Sequence, residues 1–259
     1  MSAGDVSPSS VTPVPRRFYV HDDLTDAVRD EHGADSEPFA LARHLLGLVR
    51  RDAERVTVLT LDEQLEHLVA RGRHVPFTLT IGIGRAGERV ARQVHARTGW
   101  FPTLRRVDVT REEDGRGGYV LVSPSGVPLA SQLEGVESTT SLALVDDTVF
   151  SGLTLRTILT TLPAPVRART HAFCLRCVAE TLPSIEALCP VTAGFAAPGR
   201  ILDDVSFINA SGLVRRGAIR RAGQSPLAFF ERPDWMHAWF PHDAAEIIGC
   251  CRALNRLLE

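Results

Sequence analysis

Apolar residues recur along this chain at two different spacings. Over 38–52, and again over 61–71, they fall three and four residues apart, the period that puts one apolar stripe on a helix. A short apolar run of strand length, 56–59, separates the two. Residues 17–75 are therefore predicted to form a mainly helical segment. From Phe77 onward compact apolar runs begin to alternate with helical spacing. Strands are expected over 78–82, 104–109, 141–145, 170–178 and 191–195, and helices over 88–98, 153–162 and 181–188. Such alternation predicts an α/β fold, a parallel sheet flanked by helices across 76–200, followed by a separate C-terminal segment, 201–259.

The chemistry gathers at two strand-to-helix turns. The run Ser141-Leu-Ala-Leu-Val145 ends in Asp146 and Asp147, at the carboxyl end of an expected buried strand. Ligands of open α/β sheets bind at that edge. Phe150-Ser-Gly-Leu-Thr154 then opens a helix with hydroxyls and close-approaching backbone N–H groups, a phosphate cradle at a helix N-terminus. Paired carboxylates accept from vicinal hydroxyls while the turn donates to a phosphate, so the segment suits a phosphorylated ribose. The second turn, within 78–91, carries Gly82, Gly84 and Gly87 around one cation, Arg85.

Residues 144–154, with two hydrophobics, two acids, two apolar positions, Ser-Gly and a Thr in order, resemble the fingerprint of the type I phosphoribosyltransferases, which bind 5-phosphoribosyl 1-pyrophosphate (PRPP) with magnesium. Phe150 departs from the pattern, standing where that family carries Ser, Thr, Ala or Asp. The resemblance implies a Rossmannoid core with a small hood formed by the N- and C-terminal segments. It implies transfer of the 5-phosphoribosyl group from PRPP to a nucleobase-like nitrogen heterocycle, or to a specialised-metabolite acceptor, with release of pyrophosphate. Phe150, Ser151, Gly152, Leu153 and Thr154 would hold the 5′-phosphate. Asp146 and Asp147 would hold the ribose hydroxyls directly or through magnesium-bound water. Gly84, Arg85, Ala86 and Gly87 would form the pyrophosphate loop, with Arg85 stabilising the leaving group. The charged, glycine-rich stretch 111–118, followed by a hairpin turning at 123–126, is the candidate lid, with Arg111 and Arg116 as its cations. A phenyl ring offers no lone pair, so base catalysis cannot come from Phe150. Near the C-terminus Trp235, Trp239, Phe240 and Pro241 resemble the aromatic ending of some purine-salvage members; such rings either stack on a planar acceptor or, more often, pack a core.

Two rival readings use the same residues. Gly82-x-Gly84-x-x-Gly87 also matches the dinucleotide fingerprint, with Asp108 at the next strand end, which would make the protein an NAD(P)-binding oxidoreductase. That reading leaves 146–154 unexplained. The other is a non-catalytic PRPP-sensing regulator, although no helix-turn-helix stands out in 17–75.

Composition narrows the field. With 259 residues, 44% of them hydrophobic, the chain can bury a large core and a small appended lobe. Its net charge of -2 provides no basic field for nucleic acid or a membrane surface. All 29 basic residues are arginine, which excludes a lysine-containing P-loop and a Schiff-base lysine. Cys174, Cys177, Cys189, Cys250 and Cys251 are odd in number, and two are adjacent, so reduced thiols are expected. No run reaches membrane length, and residues 1–16 read as a disordered tail. The expectation is a cytoplasmic enzyme whose partners are PRPP and a small-molecule acceptor, with a homodimer as the assembly to test for.

Overall fold

The computed structural model describes residues 17–197, apart from 115 and 117, and then 207–220 and 223–259. The expected tail over 1–16, part of the expected lid and the boundary near residue 200 lie outside the described residues. The N-terminal region forms β1 (Phe18–Asp22), α1 (Thr25–His32), α2 (Glu37–Val49), β2 (Val56–Thr60) and α3 (Leu61–Ala70). There follow β3 (Leu79–Ile83), α4 (Gly84–Thr98), β4 (Leu104–Val107), β5 (Thr110–Glu113), β6 (Tyr119–Val122) and α5 (Leu129–Gln132). The motif-bearing stretch forms β7 (Leu142–Val149), α6 (Leu153–Thr161), α7 (Ala164–Arg167), β8 (Thr170–Val178), α8 (Leu182–Glu186) and β9 (Val191–Ala197). The C-terminal region forms β10 (Phe207–Asn209), α9 (Ala210–Val214), α10 (Pro233–Trp239) and α11 (Ala244–Leu258).

Local chemistry sets several of these boundaries. Ser36 caps α2 by accepting from the Phe39 N–H, with Pro38 preset for the first turn. Thr60 and Glu63 close a capping box on α3. Gly99 ends α4 in the left-handed region at φ 71°.

The main sheet has five parallel strands in the order β4-β3-β7-β8-β9. Taken in chain order that is 2-1-3-4-5, so the winding reverses between β3 and β7. Chain reversal sends successive crossovers to opposite faces. Leu65, Val90, Val94 and Phe173 form the core with α3 and α4 on one face, while Leu144, Leu155, Ile158 and Ile185 form that with α6 and α8 on the other. Strands covered on both faces need no polar alternation, which is why β7 opens on an apolar run and β8 carries one from Ala172 to Leu175.

A second parallel sheet, β10-β1-β2, joins the two ends of the chain. Among the described residues its buried core draws on positions between 18 and 56 and between 208 and 254, with Val58 and Leu258 packed against it. The region 17–75 thus supplies two strands besides its helices, and α3 packs on the main sheet. The C-terminal aromatics belong to this second core: Trp239 stacks on Phe18 at 5.5 Å and Phe240 meets it edge-on at 5.7 Å.

Three departures from the sequence pattern bear on the cleft or the hairpin. The helix expected from residue 88 begins at Gly84, and the strand expected to stop at 145 runs on through both acids to Val149. The hairpin pairs β5 with β6, Thr110 opposite Val122 and Glu113 opposite Tyr119, so the chain reverses between Asp114 and Gly118 and not at 123–126. Asp114 is the reason, because its Oδ1 accepts from the N–H groups of Arg116 and Gly118 and closes the turn. Ser123–Gly126 is a separate turn that leads into α5. Among the described residues no helix is long and apolar enough to cross a membrane.

Candidate active site

Where the winding of an open sheet reverses, neighbouring loops part and leave a crevice at the strand ends. Here a cleft of about 290 Å³ opens at the carboxyl ends of β3 and β7. Gly84, Arg85 and Ala86 line it from the first turn of α4, and Phe150, Gly152, Leu153 and Thr154 from the entry to α6. Asp146 and Asp147 lie between the two turns. The last pairing of β3 with β7 is Gly82 with Val145, so both acids follow the last paired position and stand at the open crevice.

The glycines divide into two jobs. Gly84 turns the chain at φ 60° and faces the cleft. Gly82 and Gly87 are packing residues: a Cβ on Gly82 would lie 2.6 Å from the Glu88 Cα, and one on Gly87 would lie 2.3 Å from the Val145 carbonyl oxygen. Gly87, expected in the pyrophosphate loop, is thus buried against β7 and does not line the cleft. In the other turn Gly152 adopts φ 69° at the start of α6. Ser151 supports that turn from behind, its carbonyl accepting from Arg156 Nη1 at 2.9 Å, while the same Nη1 donates to Ser184 Oγ at 3.0 Å.

The two acids differ sharply in surroundings. Burial, and after it the neighbouring Asp147 charge, holds the Asp146 carboxyl well above the ordinary carboxylate range. Its Oδ1 accepts from the Asp147 N–H at 2.9 Å. Asp147 instead pairs with Arg176, whose Nη2 lies 3.1 Å from Asp147 Oδ2. Arg176 is fully buried, and its other partners are Gln64 Oε1 at 2.9 Å and Asn209 Oδ1 at 2.6 Å. Asn209, from β10 of the second sheet, also lines the cleft.

Of the candidate lid cations, Arg111 lines the cleft, its guanidinium 5.6 Å from the Phe150 ring centre. Arg116 is exposed and lies outside the lining. Phe150 in turn stacks on Phe207 at 4.9 Å, joining the turn before α6 to the second lobe. Asp108 is tied to α5, its N–H donating to Gln132 Oε1 at 2.6 Å, and stands outside the cleft. The sheet order 2-1-3-4-5 also differs from the 3-2-1-4-5-6 order of dinucleotide folds. All five cysteines are buried and free. Arg176 and Asn209 were not singled out by the sequence pattern. The available signal was an arginine inside the otherwise apolar run of β8.

No family model matches the chain, and no curated protein matches it. Among solved structures the chain is similar to a purine phosphoribosyltransferase from Pyrococcus horikoshii, at 18% identity and a TM-score of 0.40, over 58% of this chain and 87% of that one. It is also similar to the protein TT1426 from Thermus thermophilus, at 18% identity and a TM-score of 0.34, over 56% and 85%. A third is AQ2163 from Aquifex aeolicus, at 15% identity and a TM-score of 0.35, over 70% and 86%. These overlaps are partial, and the chemistry of the cleft rests on its own residues.

Proposed function

We propose that this protein is a phosphoribosyltransferase that moves the 5-phosphoribosyl group of PRPP to a nitrogen heterocycle or related small-molecule acceptor and releases pyrophosphate. The observation that carries this reading is the meeting, at one winding reversal, of two strand-to-helix turns and an acid pair in a single cleft. A donor with phosphate at both ends and vicinal hydroxyls between them matches that order of groups. In this reading the Phe150–Thr154 turn takes the 5′-phosphate, Asp146 and Asp147 accept from the ribose hydroxyls, and Arg85 with Gly84 and Ala86 faces the pyrophosphate.

As the bond from the anomeric carbon to pyrophosphate breaks, positive charge builds on the ribose and negative charge on the leaving oxygen. Catalysis is then electrostatic and positional. Magnesium fits the donor set in one mode. The ion keeps several waters and is bound through one or two carboxylates plus substrate phosphates. Among the described residues no group of three or more His, Cys, Asp or Glu side chains could enclose a metal, but Asp146 and Asp147 supply the two acids. They would hold the ion through its water, where it would neutralise pyrophosphate charge. Phe150 offers no base, so the acceptor is one already nucleophilic at neutral pH or one deprotonated by another segment.

The test is a thermal-shift comparison of PRPP with NADH and NADPH, each with magnesium. Ligand at about a hundred times its dissociation constant stabilises by about 2.7 kcal/mol. Stabilisation by PRPP, followed by pyrophosphate release in the presence of an acceptor panel, is the expected result. Stabilisation by a nicotinamide nucleotide and not by PRPP would overturn the proposal.

A further inference from the structure

The acid pair is organised from inside the protein. Arginine has only donors, so the side-chain atoms of Gln64 and Asn209 that face Arg176 are oxygens. That fixes both amides. Gln64 turns its Nε2 to the Thr60 carbonyl at 2.8 Å and to His21 Nδ1. Asn209 turns its Nδ2 toward Asp147 Oδ2 at 3.5 Å. Asp147 Oδ2 therefore faces Arg176, Asn209 and the Thr148 hydroxyl, 2.9 Å away. The contacts with Arg176, Asn209 and Thr148 all fall on Oδ2, so Oδ1 is the oxygen that Arg176 does not hold on the side chain lining the cleft.

The strands are shaped to permit this. Residues four apart in a regular strand share a face. Val145 and Phe173 belong to the core on the α4 face, yet Val149 and Cys177, four residues on, belong to the core on the α6 face. Both β7 and β8 thus break their alternation at the same level, where Asp147 and Arg176 meet. A buried ion pair adds little to stability over apolar packing, and among the described residues Arg176 Nε has no hydrogen-bond partner although it is buried. An arginine kept for packing alone would shed that cost.

We propose that Arg176 is a positioning residue for sugar recognition: it locks the Asp147 carboxylate so that one oxygen reads a ribose hydroxyl, and through Asn209 it ties that reading to the second lobe. The inference rests on the PRPP reading of the cleft. Its test compares ribose 5-phosphate with 2-deoxyribose 5-phosphate and 3-deoxyribose 5-phosphate, by calorimetry on the whole protein. The wild type should disfavour the deoxy sugars, and Asp147→Asn should abolish the penalty for one of them, identifying the hydroxyl that Asp147 reads. Arg176→Lys should reduce that same penalty from about tenfold to under threefold, while leaving the other penalty and the affinity for the insensitive analogue within about twofold. If Arg176→Lys does not fold, Asn209→Ser carries the test with a smaller loss for the same hydroxyl. Retention of both penalties in the folded variants would overturn the proposal. So would an equal loss of affinity for all three sugars, which marks a role in the fold alone. A wild type that binds none of the three overturns instead the reading of the cleft.

Discussion

Asp146 and Asp147 are neighbours at the end of β7, yet among the described residues Asp147 is the one that forms an ion pair. The raised carboxyl of Asp146 means that the folded state binds its proton more tightly than the unfolded chain does. Stability is therefore unaffected by this group below the ordinary carboxylate value, falls as pH rises from there through the raised folded value, and stays lowered above it. Asp146→Asn removes the penalty. The variant should melt higher than the wild type at pH 8, with the gain shrinking as the pH approaches 4, and should lose PRPP turnover at every pH. A variant that melts lower at pH 8 would show that the carboxylate is stabilised where it sits. At this scale the acids and the Ser-Gly-Leu-Thr turn were legible because they are contiguous and end an apolar run. Arg176 was not, because its partners Gln64, Asn209 and Asp147 lie 112, 33 and 29 residues away in sequence.

Among elements, α4 carries the sharpest contrast. Its first turn presents Arg85 to the cleft, while the next residues press it against β7. Arg85→Ala should weaken inhibition by pyrophosphate about tenfold to a hundredfold, the range for a hydrogen bond to a charged group, and change ribose 5-phosphate affinity less than about twofold. Equal losses would argue against two turns gripping opposite ends of the donor. Gly87→Ala places a methyl group on the Val145 carbonyl and should cost about 1–3 kcal/mol in a urea melt. Gly47→Ala is the matched control: this glycine is exposed in α2 with nothing within 4 Å of a new Cβ, and the change should stabilise by about 0.5–1 kcal/mol. The sequence pattern located α4 and β7 to within a few residues, since periodicity reports which residues are covered. It misplaced the hairpin turn because Asp114 closes that turn through side-chain bonds that periodicity does not register.

On the scale of the whole molecule, the two sheets have different histories along the chain. The five strands of the main sheet follow one another along the chain from β3 to β9, interrupted only by the β5–β6 hairpin, whereas β1 sits between β2 and β10 and draws its partners from both ends. Alternating strands and helices made the first sheet legible; nothing in the local pattern announces a strand whose neighbour arrives at the far end. The Asp23 carboxylate, for example, accepts from the Ser211 N–H across 188 residues. Contacts of such separation form late, because the loop entropy must be met before they reward it. On a ribosome the acids and both turns of the cleft would exist before Asn209 had been made. On the proposed reading the growing chain would carry the turn before α6 well ahead of the lobe that supplies Asn209, and the full set of partners around Arg176 would assemble only once β10 had paired with β1.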